Sequence, residues 1–231
     1  MSLFKNVLLC AVIAIATMHN SDGFAQSAKD ITGKNWTQLN KYSEVIGSPF
    51  LYDDWAPGTI KFADQQQIRV ENLKYDLYND VLLFKNEKEE VMEVAEPILE
   101  FTITYMKDSK TVQKTFRSGF KASNDNTTQS FYEILFDGQT KLVKRIGKTI
   151  VEEKEYNATT SIRKLVDKPS YFIANTTNMP IAISKNEKSI LGAVGDKITE
   201  LKTFIKDNKL NLKNDGDVVK LLTYYDEFNK K

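Results

Sequence analysis

From about residue 58 to 184 the chain is a succession of short apolar and aromatic runs, separated by turn-forming residues at roughly ten-residue intervals. Such a pattern specifies antiparallel β-structure, because a strand buried on one face alternates apolar with polar residues at a period of two. Leu99-Glu100-Phe101-Thr102-Ile103-Thr104-Tyr105 carries the alternation most clearly, and Leu73-Lys74-Tyr75-Asp76-Leu77 repeats it. The runs Phe131 to Phe136 and Lys141 to Ile146 flank Asp137-Gly138, a dipeptide suited to a type I′ hairpin turn, whose central residues both need φ > 0. Further strands are expected near 59–63, 81–85, 111–117, 149–156, 170–174 and 180–184, about ten in all.

After Ser184 the apolar period lengthens. Ile190, Leu191, Val194, Ile198, Leu201 and Ile205 fall on one helical face, with Lys188, Asp196, Thr203 and Lys206 turned away. A second helix follows, capped by Asn214 or Asp215 and striped by Val218, Leu221, Leu222 and Tyr225. Residues 26–57 read as an irregular N-terminal segment: Trp36, Leu39 and Ile46 allow a short helix, whereas Gly47, Pro49, Pro57 and Gly58 favour an extended approach to the sheet. No internal repeat or Pro- or Ser-rich linker divides the rest. The fold class is α+β, mainly antiparallel β: a multi-stranded meander, as an open sheet or partly closed barrel, then a C-terminal helical pair over 187–229. Residues 58–231 form a single β-rich domain.

Residues 1–25 have the three parts of a secretory signal peptide: Lys5 in a short head, an apolar run from Val7 to Met18 broken only by Thr17, and a polar stretch ending in small residues at Gly23 and Ala25. The run spans about 18 Å of a ~30 Å hydrocarbon core, so a cleaved signal is expected rather than a stable membrane span. Cleavage after Ala25 starts the mature chain at Gln26, with cleavage after Ala16 the second choice. Cys10 lies inside the apolar run behind the bulky Leu9, which argues against a lipid anchor. The expected location is outside the cytosol: periplasmic, outer-membrane-associated or extracellular. A membrane β-barrel fits less well, since such strands need about 9–11 residues with an outward apolar band, and here charged stretches such as 85–90 intervene.

Processing after Ala25 removes the only cysteine, Cys10, and the only histidine, His19. A disulfide framework, a thiol nucleophile, a Ser/His/Asp triad and histidine-bound zinc are then all excluded. Lys plus Arg (32) nearly balances Asp plus Glu (31), so no field concentrates nucleic acid or anionic lipid, and no nucleic-acid partner is expected. Neither a cofactor nor a metal is expected. Gly192-Ala193-Val194-Gly195-Asp196-Lys197 lacks the spacing of a phosphate loop and reads as helix punctuation. Asp215-Gly216-Asp217 lacks the downstream glutamate of a calcium loop and reads as a cap. Asn124 to Thr128 reads as a solvated hairpin loop.

Carboxylate catalysis is the one enzymatic device left. Asp53-Asp54 and Glu152-Glu153 with Glu155 are the candidate clusters, but a glycosidase needs two carboxyl groups about 5–9.5 Å apart across a sugar, and neighbours on a strand face opposite ways. No catalytic residue is therefore assigned. The aromatics of the first third, Phe50, Tyr52, Trp55, Tyr75, Tyr78 and Phe84, offer binding instead. Tyr52, Trp55, Tyr75 and Tyr78 are the candidate ligand-binding residues, set against the ordinary use of aromatics in strand cores.

At Phe50-Leu51-Tyr52-Asp53-Asp54-Trp55-Ala56-Pro57-Gly58-Thr59 and Lys74-Tyr75-Asp76-Leu77-Tyr78-Asn79-Asp80 the chain resembles a group of uncharacterised exported proteins of the Bacteroidetes. The resemblance extends to the Asp137-Gly138 hairpin and the Val218 to Tyr225 helix, over about 45–228. It implies an envelope or secreted location and transfers no activity. The reading that follows is a non-enzymatic exported binding or interaction module of the bacterial cell envelope, with an envelope protein or glycan as partner. The alternatives are a carrier of an apolar ligand in a β-barrel-like cavity and a carboxylate-based hydrolase.

Overall fold

The computed structural model describes residues 31–37, 42, 44–121, 126–154, 161–175 and 177–228. The signal peptide at 1–25, Leu39, Asn124 and Glu155 lie outside the described residues. Among the described residues twelve strands and three helices follow one another: β1 (Gly33–Asn35), β2 (Val45–Ile46), β3 (Ala56–Phe62), β4 (Gln67–Asp76), β5 (Val81–Lys85), β6 (Val91–Val94), β7 (Ile98–Lys107), β8 (Lys110–Arg117), β9 (Tyr132–Asp137), β10 (Lys141–Lys154), β11 (Ser161–Ala174), β12 (Pro180–Ile183), α1 (Glu187–Val194), α2 (Ile198–Asp207) and α3 (Asp215–Phe228). The strands form one open sheet in the order β1-β6-β5-β4-β3-β7-β8-β9-β10-β11-β12. All neighbours on this path are antiparallel; β2 alone pairs in parallel, along β11. The expected meander is thus two meanders, β3 to β6 and β7 to β12, joined where β7 returns beside β3.

The sheet is strongly curled, as two side-chain contacts show. Tyr75 on β4 and Phe116 on β8 lie three strands apart, about 14 Å in a flat sheet, yet their ring centroids are 4.9 Å apart. Arg145 on β10 and Asp80 in the turn before β5 are about six strand spacings apart, roughly 29 Å if flat, and meet at 2.8 Å. The concave face is filled by Ile60, Phe62, Leu73, Tyr75, Phe101 and Phe116. Phe101 stacks on Phe116 at 4.9 Å and meets Tyr75 edge-on at 5.1 Å, geometries favoured by the ring quadrupole. A strap closes the curl: β2 lies on β11, and four residues later Phe50 bridges to Asp76 at the end of β4.

The helices form a second layer over the other end of the sheet, where Ile190, Leu201 and Leu221 pack with Leu142 and Ile173 of β10 and β11. They number three, where the periodicity predicts two. Gly195 ends α1 in the left-handed region (φ 91) with its N–H on the Leu191 carbonyl, and Lys197 (φ 52) starts α2 from the same region. The interruption resets the helical frame. Ile198, assigned to the buried stripe, is therefore 42% exposed, while Leu201 and Ile205 behind it are buried.

Three other local expectations are corrected. The segments 141–146 and 149–156 expected as two strands are one 14-residue β10, paired with β11 throughout its length. The Asp137-Gly138 hairpin exists, but Asp137 pairs with Lys141 across a three-residue connection, and Gly138 is not among the positive-φ glycines. Its requirement for glycine is steric. The irregular 26–57 segment contributes β1 and β2 to the sheet, and buries Trp36 beside β1 rather than in a helix.

Candidate functional site

The four aromatic candidates do not converge. Tyr75 points into the concave core at 2% exposure, its hydroxyl donating to Asp80 Oδ1 at 2.5 Å. Burial, and then the Asp80 charge, push its phenol well above the ordinary tyrosine range. Tyr52 is half-buried and stacks on Tyr105 at 4.8 Å, and Tyr78, 37% exposed, meets Tyr42 edge-on at 5.8 Å. Trp55 is half-buried, with Lys74 Nζ 4.9 Å and Lys85 Nζ 5.5 Å from its ring. Lys74 also lies 4.8 Å from the Phe50 ring and donates to the Asp53 carbonyl, while desolvation lowers the pKa of its ammonium.

The turn carrying Tyr78 is held by two buried or half-buried carboxylates. Asp76, fully buried, accepts from the Tyr78 and Asn79 N–H groups through Oδ1 at 2.9 and 2.8 Å, and from the Tyr42 hydroxyl through Oδ2 at 3.0 Å. Asp80 takes Tyr75 on one oxygen, and Arg145 and the Phe131 N–H on the other. These carboxylates accept from groups that hold the turn and close the curl, a structural assignment.

The acidic doublets are likewise engaged or solvated. Asp53 and Asp54 are exposed; Glu152 faces Arg163 at 4.0 Å, and Glu153 faces Lys164 at 2.5 Å across the β10–β11 ribbon. Among the described residues, no three acidic, histidine or cysteine side chains converge as a metal site. At α3 the Asp215-Gly216-Asp217 run is a helix start: Asn214 Oδ1 accepts from Gly216 N at 2.8 Å, Asp215 pairs with Lys185 and Asp217 with Lys220. Asp217 is held below the usual carboxylate range by Lys220 and by the Asn211 N–H it accepts.

A site that the sequence pattern missed lies on the outer side of the helices. Phe204 of α2 and Tyr224 of α3 stack face to face at 3.9 Å, and Phe228 meets Tyr224 edge-on at 4.9 Å. With Leu210 and Val219, Phe204 and Tyr224 line a groove of about 480 Å³, bordered by Asn208, Lys220, Thr223 and Glu227. That volume lies within the ~300–1,000 Å³ of pockets that take small ligands or anchoring side chains. The helices bury Ile205, Val218, Leu221 and Leu222, so Phe204, Val219 and Tyr224 are apolar positions beyond the core-facing stripe, half-buried at its border. Their adjacency to core positions was the available signal: each widens the apolar arc further than sheet packing needs.

The concave face of the sheet, by contrast, is packed with side chains. The cleft beside Tyr52, Leu73 and Tyr75 has no room for even a water-sized guest. Protein-family models, curated proteins and solved structures were compared with the chain, and none matches it.

Proposed function

We propose that the protein is a non-enzymatic binding or interaction module, exported to the bacterial cell envelope, whose docking surface is the α2–α3 groove. The single observation carrying the reading is the Phe204–Tyr224 stack, held half-exposed over a ~480 Å³ groove. Paired, preorganised aromatics offer a large contact area at small entropic cost, the character of an anchor site for an apolar side chain of an envelope protein. The Lys5, Val7 to Met18 and Gly23 to Ala25 pattern, together with the resemblance to exported Bacteroidetes proteins, supports the location.

A photo-crosslinking residue placed at Tyr224 in the native host tests the docking surface. One discrete adduct is expected in the envelope fraction, absent when the crosslinker sits at exposed Lys202 and lost with Val219→Asp. Equal adducts at both positions, or none, would overturn the groove as the docking surface. Mass spectrometry of the same fraction tests export: a mature N-terminus near Gln26 is expected, and an intact Met1 confined to cytosol would refute it.

A further inference from the structure

The convex face of the sheet, away from both the aromatic core and the helices, carries a second depression. Thr59 on β3 stands opposite Arg69 on β4 and opposite Thr102 on β7, and Thr102 stands opposite Thr115 on β8. Thr104 lies two residues along from Thr102, hence on the same face, and pairs with Gln113. Short threonines on the two central strands are thus flanked by long side chains, Arg69 and Gln113, on the strands outside them. A shift in the β3–β4 register between Ala56 and Gly58 sets two β4 residues, Glu71 and Asn72, against Pro57 alone, a bulge of the kind that re-aims side chains and bends a strand. A depression of about 220 Å³ results, lined by Pro57, Thr59, Arg69, Thr102, Thr104 and Gln113.

Gly58 lets the two central strands approach. A Cβ there would stand 2.0 Å from the Thr102 carbonyl oxygen, which only a shift of backbone could relieve. The approach places the Thr59 and Thr102 hydroxyls 2.8 Å apart, with Thr59 N–H donating to Thr102 Oγ1 at 3.2 Å. Thr104 and Gln113 make no side-chain hydrogen bond among the described residues, so their polar groups remain available to a ligand. Arg69 is balanced by Glu71, Nε to Oε1 at 2.7 Å, which leaves the depression without a net charge to recruit an anion.

The lining therefore combines neutral donor–acceptor groups with the apolar Pro57 ring and threonine methyls. A hydroxyl-bearing carbon ring has the matching character, with polar edges and C–H faces. The volume falls below the ~300–1,000 Å³ of larger ligand pockets and limits the guest to about one ring. We propose that this depression binds a single neutral sugar ring of a glycan, whose hydroxyls are taken by Thr104, Gln113 and the Thr59–Thr102 pair. The site is separate from the α2–α3 groove and does not depend on it.

The test is a titration of the ¹⁵N-labelled protein, followed by amide shifts, with methyl glucoside, methyl galactoside, methyl mannoside and N-acetylglucosamine, and with glycerol and sodium acetate as controls. At least one sugar is expected to shift the Thr59, Thr102, Thr104 and Gln113 amides saturably, with a Kd on the order of 1 mM, since few contacts are available. The double variant Thr104→Val/Gln113→Ala should weaken that binding about tenfold or more at an unchanged melting temperature. Tyr224→Ser should leave it intact, so failure here and failure of the groove remain distinct. No saturable shift with any sugar, an equal response to glycerol or acetate, or undiminished binding by the double variant would overturn the proposal.

Discussion

Asp226, near the end of α3, sets both carboxylate oxygens 3.1 Å from the backbone N of Thr140 in the β9–β10 turn, 86 residues earlier in the chain. The charge sits at the negative end of the helix dipole, where it gains nothing from α3 itself. Its role is tertiary: at 4% exposure it satisfies a buried N–H and locks the helical layer to the sheet. The same contact explains Gly138, where a Cβ would fall 2.1 Å from Asp226 Oδ2 and 2.6 Å from the Phe136 ring.

Asp226→Ala should destabilise by about 1–3 kcal/mol by orphaning the Thr140 N–H, and Gly138→Ala by a similar amount through overpacking. Because the two share one contact, the double variant should cost less than the sum of the singles, by at least about 0.5 kcal/mol in a denaturant-unfolding cycle. Strict additivity would separate the turn from the helix.

Leu201 and Leu221 are fully buried between the helices and the sheet, whereas Lys206 is exposed. Leu201→Ala and Leu221→Ala should each cost about 2–5 kcal/mol, a large share of a typical total of ~5–15, and Lys206→Ala close to none. Thermal melts of the three variants check this, and leucine variants that melt like the parent would mean the helices do not brace the sheet.

The Asp80–Arg145 pair spans the curl with side chains 17% and 22% exposed. Asp80→Ala strands the guanidinium and the Tyr75 hydroxyl together, so its cost should approach the lower end of the ~3–5 kcal/mol for breaking a buried pair. Tyr75→Phe keeps the ring packing and should cost only about 0.5–1.5 kcal/mol. Equal effects in urea unfolding would place the closing energy in the phenol rather than the ion pair.

Two pH limits follow from groups shifted in opposite directions. Arg117 grips Asp137 through two nitrogens at 3.0 and 2.8 Å and holds its carboxyl below the ordinary 3.8. A depressed carboxyl contributes stability above its unfolded value and loses it as pH falls through the folded one, so Asp137→Asn should flatten the acid decline below pH 3.8. The effect is small, since Asp137 is 43% exposed. Tyr75 is raised well above 10.0, so its neutral form favours the fold and stability falls as pH climbs past 10.0. Tyrosinate absorbance should show Tyr75 ionising only with unfolding; Tyr75→Phe should remove one unit from that late step.

The sequence alone determined the kind of structure. Alternation in Leu99 to Tyr105 specified a one-sided strand, and β7 buries Phe101, Ile103 and Tyr105 as that period requires. The change of period after Ser184 specified helices, and Asn214 caps α3 as its side-chain chemistry permits. These are short-range properties, set by residues within a few positions of one another. The tertiary structure decided what depends on partners distant in the chain. Tyr75 reads as a candidate ligand platform until the curl carries Phe101, Phe116 and Phe131 around it. Gly138 reads as a turn glycine until Asp226 arrives beside it. Phe204 and Tyr224, 20 residues apart, become one aromatic face only when α2 and α3 pack. Local periodicity records which side of an element avoids water, but not which distant element covers it, because that pairing is selected by the packing of the whole sheet and its helices.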